Sequence, residues 1–179
     1  MLTIIVSGSE FYNDDKQEFV YGDNEKLLLE HSLISISKWE SKWQKPFLHT
    51  SDKTPEQVLD YVKCMTINKP SDESVYDRLD SDNFDEINKY ISSPMTATWF
   101  NDLQTKPNHE IVTSELIYYW MISFGVPFEC QKWHINRLLT LIRICGIKNS
   151  PSRKMTRQEV LAQNRALNAA RRKQYGTRG

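Results

Sequence analysis

Glycine is scarce, at six residues in 179, and neither a G-x-G-x-x-G nor a G-x-x-x-x-G-K-[ST] run occurs. The backbone therefore offers no glycine-rich cradle for a dinucleotide or a P-loop phosphate. Cysteine is scarcer still. Cys64, Cys130 and Cys145 cannot all pair with one another, and none forms a C-x-x-C. A reducing compartment fits them best, as small buried hydrophobes. No long hydrophobic run exists. The longest, Leu116 to Phe124, includes Tyr, Trp and Ser, and falls far short of the ~20 apolar residues of a spanning helix. The first residues, Met-Leu-Thr-Ile-Ile-Val, have no basic n-region and no A-x-A site, so no signal peptide is expected and no membrane partner either.

Net charge is also lacking: 23 basic side chains balance 23 acidic ones. The balance conceals a division. Residues 151–179 hold eight Lys/Arg against the single acid Glu159, while residues 1–150 carry 15 bases and 22 acids. The body is −7 and the tail +7, a pattern for interaction rather than for fold.

The first 31 residues read as β-structure. Leu2 to Val6, Glu18 to Tyr21 and Lys26 to Glu30 are short apolar runs, broken by Gly8-Ser9 and Gly22-Asp23-Asn24. Two or three antiparallel strands are expected, too few to stand alone.

The rest reads as helices, so the fold class is mainly α (α+β). Ser32 can cap a helix through Leu33, Ile36, Trp39 and Trp43, with Glu40 interrupting its apolar stripe and Pro46 ending it. Thr54-Pro55-Glu56-Gln57 is a capping box with proline at the first helical position. Asp72 opens a turn through Leu79, and Asp82 precedes a short helix stopped by Pro94. Met95 to Asn108 is expected as loop. A helix from Thr113 or Ser114 is apolar nearly all round, which predicts a buried central helix. After Gly125-Val126-Pro127, a helix from Phe128 to Cys145 with Gly146 as its C′ residue predicts an antiparallel hairpin at the heart of a 1–150 body. Asn149 to Ser152 reads as linker. Thr156-Arg157-Gln158-Glu159 is a further capping box, opening an extended basic helix to about Gln174. With only Val160, Leu161 and Leu167 as large apolar residues, this 151–179 tail is expected to be mobile in the monomer and to order on a partner.

Catalytic and metal constellations are weak. Cys130 and His134 lie four apart, but zinc needs three or four ligands and the other histidines are remote. Asp80, Asp82 and Glu86 suggest calcium, but the EF-hand loop and its central Gly are absent, and solvated helix starts explain the acids. A Cys–His nucleophile has no local signature. The expectation is a non-enzymatic protein with no cofactor, no metal and no catalytic residue. The candidate partner-binding residues are Trp39, Trp43, Trp99 and Phe100, because aromatics anchor interfaces, and Arg165, Arg171, Arg172 and Lys173 of the tail. Core placement is the competing reading for Trp39 and Trp43, and the expected one for Trp120 and Trp133.

Several segments resemble one family. Leu29-Glu30-His31-Ser32-Leu33-Ile34-Ser35-Ile36-Ser37-Lys38-Trp39-Glu40, Pro94-Met95-Thr96-Ala97-Thr98, Ile117-Tyr118-Tyr119-Trp120-Met121, Pro127-Phe128-Glu129-Cys130 and Trp133-His134-Ile135-Asn136-Arg137-Leu138-Leu139 are similar to the tail assembly chaperones of long-tailed bacteriophages. So are Asn164-Arg165-Ala166-Leu167-Asn168 and Ala170-Arg171-Arg172-Lys173. The resemblance spans most of 27–179 and is weakest over 1–25 and 70–90. It implies a mostly helical viral protein of the host cytoplasm. Its partners would be the tape-measure protein and tail-tube subunits during virion assembly, with self-association a further expectation. A structural head–tail or tail component retained in the virion is the alternative. A nucleic-acid-binding accessory protein acting through the basic tail is the third reading, and nucleic acid is the less favoured partner because Tyr175 is the tail's one aromatic.

Overall fold

A computed structural model of the chain describes residues 1–8, 10–13, 17–100, 110–150 and 157–176. Two compact units emerge, 1–146 and 147–179. The architecture is mainly helical with a small antiparallel β-element.

Among the described residues, four strands form two ladders. β1 (Leu2–Val6) pairs with β4 (Glu25–Leu29), and β2 (Glu10–Asn13) pairs with β3 (Glu18–Tyr21). The β2–β3 hairpin is thus inserted between the two halves of the first ladder. At its base, a Cβ on Gly8 would stand 1.9 Å from the carbonyl oxygen of Gly22. Alternation fixes the inner face: Ile4, Val6, Leu27 and Leu29 are buried, while Ile5 is exposed. The outer edge of β4 is covered by the chain after the second helix. Ile67 N–H donates to Leu28 O at 2.8 Å, Glu30 N–H to Met65 O at 2.9 Å, and Asn68 exchanges side-chain bonds with Leu28 N–H and Lys26 O.

Helix α1 (Leu33–Trp43) begins at Ser32, whose hydroxyl accepts from Ser35 N–H while Ser35 Oγ accepts from Ser32 N–H, a reciprocal cap. α2 (Pro55–Met65) begins with the Thr54–Gln57 box read from sequence. A 3-10 turn over Glu73–Arg78 leads to α3 (Ser81–Ser92), capped by Asp80 rather than started after Asp82. α4 (Ser114–Ser123) starts at Thr113.

The central hairpin expected from the two apolar segments is not built. Residues 128–132 form a 3-10 turn, and α5 (Ile135–Asn149) starts only after His134. Gly146 lies inside α5, not beyond its end. The hub is α1, which contacts α2, α4 and the second 3-10 turn. α4 is not a buried central helix: Tyr119 and Ile122 are 62% and 65% exposed. An apolar composition on every side left the sequence no periodicity from which to tell the buried face, Ile117 and Met121, from the open one.

Glu40, the misfit in the α1 stripe, is buried, and both of its carboxylate oxygens are used. One accepts Phe47 N–H at 2.8 Å, the other Ser114 N–H at 2.7 Å. A single side chain thereby ties the α1 exit to the positive N-terminus of α4. The second unit contains α6 (Arg157–Tyr175). Its described side chains are all exposed. The expected cap at Thr156, the linker from 151 onward and the loop from 101 to 108 lie outside the described residues.

Candidate partner-binding surfaces

The aromatic core removes one of the sequence-derived anchors, Trp39, from the surface and half-buries a second, Trp43. Trp39 is fully buried, with its indole N–H donating to Gln57 O at 2.9 Å. It meets Phe47 edge-on at 5.1 Å, and Phe47 stands 4.0 Å from Tyr61 between ring centroids. Trp39 is therefore a core residue and not a partner anchor. The α1 stripe turns it inward, where a backbone carbonyl satisfies its one polar atom. Trp43 is half-buried, with its N–H donating to Asp60 at 2.9 Å and Lys42 paired to the same carboxylate. Its polar handle is already engaged within the fold.

The column of rings continues through His31 to His134 and Tyr90. His31 Nδ1 bonds the Tyr61 hydroxyl. His134 Nε2 donates to Tyr90 O at 3.0 Å, and its Nδ1 accepts Asn136 N–H at 3.3 Å, which caps α5. That pair of bonds holds His134 as the neutral Nε2–H tautomer. The Tyr90 hydroxyl donates to Glu30 at 2.6 Å, and Glu30 also pairs with the Met1 amine at 2.9 Å. Burial, and then the neighbouring His134, pull the His31 pKa down to about 3. Burial pushes the tyrosines upward, and it lowers His134. Each of these side chains is committed to a bond within the fold. The Cys64 thiol is likewise pushed up by burial and by Asp60, which disfavours the nucleophilic thiolate. Among the described residues, no group of three or more His, Cys, Asp or Glu is placed to hold a metal. Cys130 and His134 are both buried.

What the body does present is apolar surface beside charge. A cleft of about 360 Å³ lies between α1, the end of α2 and the strap over β4. Ile34, Met65 and Ile67 give it an apolar lining, and Ile67 is 60% exposed. Lys38 and Lys132 stand on its rim and are exposed. Glu30 also lines it, so the cleft carries charge of both signs. No local pattern announces it, because its residues come from three separate segments and Ile67 follows the helix rather than lying on its stripe.

The other two aromatic candidates differ. Trp99 is 85% exposed. Phe100 is half-buried, with the Arg143 guanidinium 4.0 Å from its ring centroid, a cation–π contact with α5. Tyr119, Ile122 and Phe128 add exposed apolar surface on α4 and the turn after it. Arg165, Arg171, Arg172 and Lys173 are exposed on α6.

No helix among the described residues is long and apolar enough to cross a membrane. No family model, no curated protein and no solved structure matches the chain.

Proposed function

We propose that this chain is a non-enzymatic tail assembly chaperone of a long-tailed bacteriophage, acting in the host cytoplasm on the tape-measure protein, tail-tube subunits or both. The resemblance over most of residues 27–179 supports this family reading. The lysine-rimmed apolar cleft of Ile34, Met65 and Ile67 is the observation that carries the reading. A long amphipathic client exposes apolar residues among charges before assembly. A shallow apolar cleft with a charged rim shields such residues without demanding one sequence. The fully exposed Trp99 offers a second anchor.

Co-expression with the tape-measure protein of the same phage tests this. Soluble tape-measure protein should rise with the wild-type chain and not with a variant carrying Ile67→Asp and Lys132→Glu. Equal solubility with and without the wild-type chain would overturn the reading. Mass spectrometry of purified particles separates the alternative: a structural tail component would be present stoichiometrically, a chaperone absent.

A further inference from the structure

A sheet edge is a row of backbone donors and acceptors, and the two edges of the β1–β4 ladder are treated differently. The β4 edge is closed. Lys26, Leu28 and Glu30 turn backbone groups outward, and Met65, Ile67 and Asn68 bond them. Along a strand, successive residues direct their N–H and C=O to opposite sides. Glu25, Leu27 and Leu29 therefore turn theirs toward β1, where their register partners are Val6, Ile4 and Leu2. The same alternation leaves Thr3 and Ile5 with N–H and C=O directed away from β4. Among the described residues, no strand lies on that side and no hydrogen bond reaches those groups.

Nothing blunts this edge. Exposed edges are ordinarily protected by charge, proline, a bulge or a covering segment. Leu2-Thr3-Ile4-Ile5-Val6 has neither charge nor proline, and its register with β4 runs without a bulge. Thr3 and Ile5 are exposed, Ile5 at 64%. Beside the strand lies a cleft of about 430 Å³, with Leu2 and Thr3 on one wall and Glu86, Lys89, Tyr90 and Ser93 on the other. The four helix positions share one face of α3 and its C-cap. Arg78, just before α3, donates to Ser7 O, while Tyr90 near its end bonds Glu30, the partner of the Met1 amine. Helix α3 thus runs antiparallel to β1, and the two form the sides of one groove.

We propose that this groove binds an extended peptide segment of a partner protein, which adds to β1 as a further strand beside α3. The open backbone groups name the occupant. Thr3 and Ile5 present donor and acceptor together, repeated at about 7 Å, and another extended chain is the ligand that matches that repeat. A helix has its own backbone groups bonded internally and does not match it. Residues of the added strand opposite Thr3 and Ile5 share their exposed face, where threonine and β-branched side chains pair well. The residues between them turn inward over Leu2 and Tyr90, which favours apolar side chains. The inference rests on the register of β1 and the position of α3, and stands whether or not the chaperone reading does.

Amide exchange read by NMR on the full chain tests it. The probe is a short synthetic peptide of alternating valine and threonine, with a lysine at each end. Exchange of the Thr3 and Ile5 amides should slow about tenfold or more at millimolar peptide. Peptides methylated on alternate backbone nitrogens separate strand addition from apolar adhesion. Methylating the set that faces β1 should abolish the protection, and methylating the other set should spare it. Ile5→Pro removes an N–H that β4 does not use, so the edge strand should tolerate it while protection at Thr3 is lost. Should that variant not fold, the methylated peptides decide alone. No protection of Thr3 and Ile5 at millimolar peptide would overturn the proposal. So would equal binding of both methylated peptides, or protection confined to the β2–β3 hairpin or the Ile67 cleft. Protection that grows with protein concentration before any peptide is added would show β1 pairing with a second copy, and would overturn it too.

Discussion

The imidazole of His134 meets that of His31 edge-on, with ring centroids 5.0 Å apart and both residues almost wholly buried. The two side chains come from opposite ends of the body, and the backbone repeats their meeting: Ile135 N–H donates to His31 O at 2.7 Å, and Ser32 bridges His134. The contact staples the α1 entrance to the α5 entrance.

Burial of His31, and secondly its contact with His134, makes stability depend on pH. His31 has its pKa lowered to about 3 in the folded chain from 6.5. The unfolded chain therefore binds the proton first, and the contribution of neutral His31 is complete above pH 6.5. It is lost as pH falls from 6.5 toward 3, by up to about 1.4 kcal/mol for each pH unit. His134 shifts in the same direction. Urea midpoints at pH 7.5 and pH 5 should differ for the wild type and differ less for His31→Gln.

Glu40 gives the second test. Glu40→Ala strands the buried N–H groups of Phe47 and Ser114, at about 1–3 kcal/mol for each orphaned donor. Glu40→Gln keeps one acceptor and turns an NH2 toward the other donor, so it should lose less than alanine and more than nothing. Chemical denaturation of the three proteins should rank them in that order.

Two glycines should respond to alanine with opposite signs. A Cβ on Gly8 meets the Gly22 carbonyl, and backbone must move. Gly8→Ala should cost about 1–3 kcal/mol, as overpacking does. Gly146 is helical, and its Cβ would lie 3.7 Å from Phe124 Cζ, an ordinary contact. Gly146→Ala should therefore stabilise by about 0.5–1 kcal/mol. Thermal melts of the two variants decide both.

Helix α6 is the fourth test. Its described side chains are exposed, and isolated helices of this length are marginal in water. Amides from Val160 to Leu167 should exchange fast in a dilute, client-free sample and slow markedly when a client or a second copy covers the helix. Deleting 151–179 should leave the melting temperature of the body almost unchanged. Strong protection in the dilute monomer would contradict this.

The sequence by itself determined most element starts and their types. Ser32, Thr54 and Thr113 are caps whose side chains satisfy donors three residues on, so the signal is local and legible. The β-character of 1–31 and the basic helix from 157 were equally plain, because propensity and charge are written residue by residue. Tertiary structure alone decided what each element faces. Trp39 and Trp43 share a helical stripe, yet one is buried to its nitrogen and the other stands at the boundary, because only Trp39 lies over Phe47 and Gln57. Glu40 looked like a break in that stripe until two backbone donors, one of them 74 residues away, met its carboxylate. The cleft of Ile34, Met65 and Ile67, and the pairing of His31 with His134, join segments far apart in the chain. Such proximity is set by packing free energy summed over the whole core, which no local window of sequence contains.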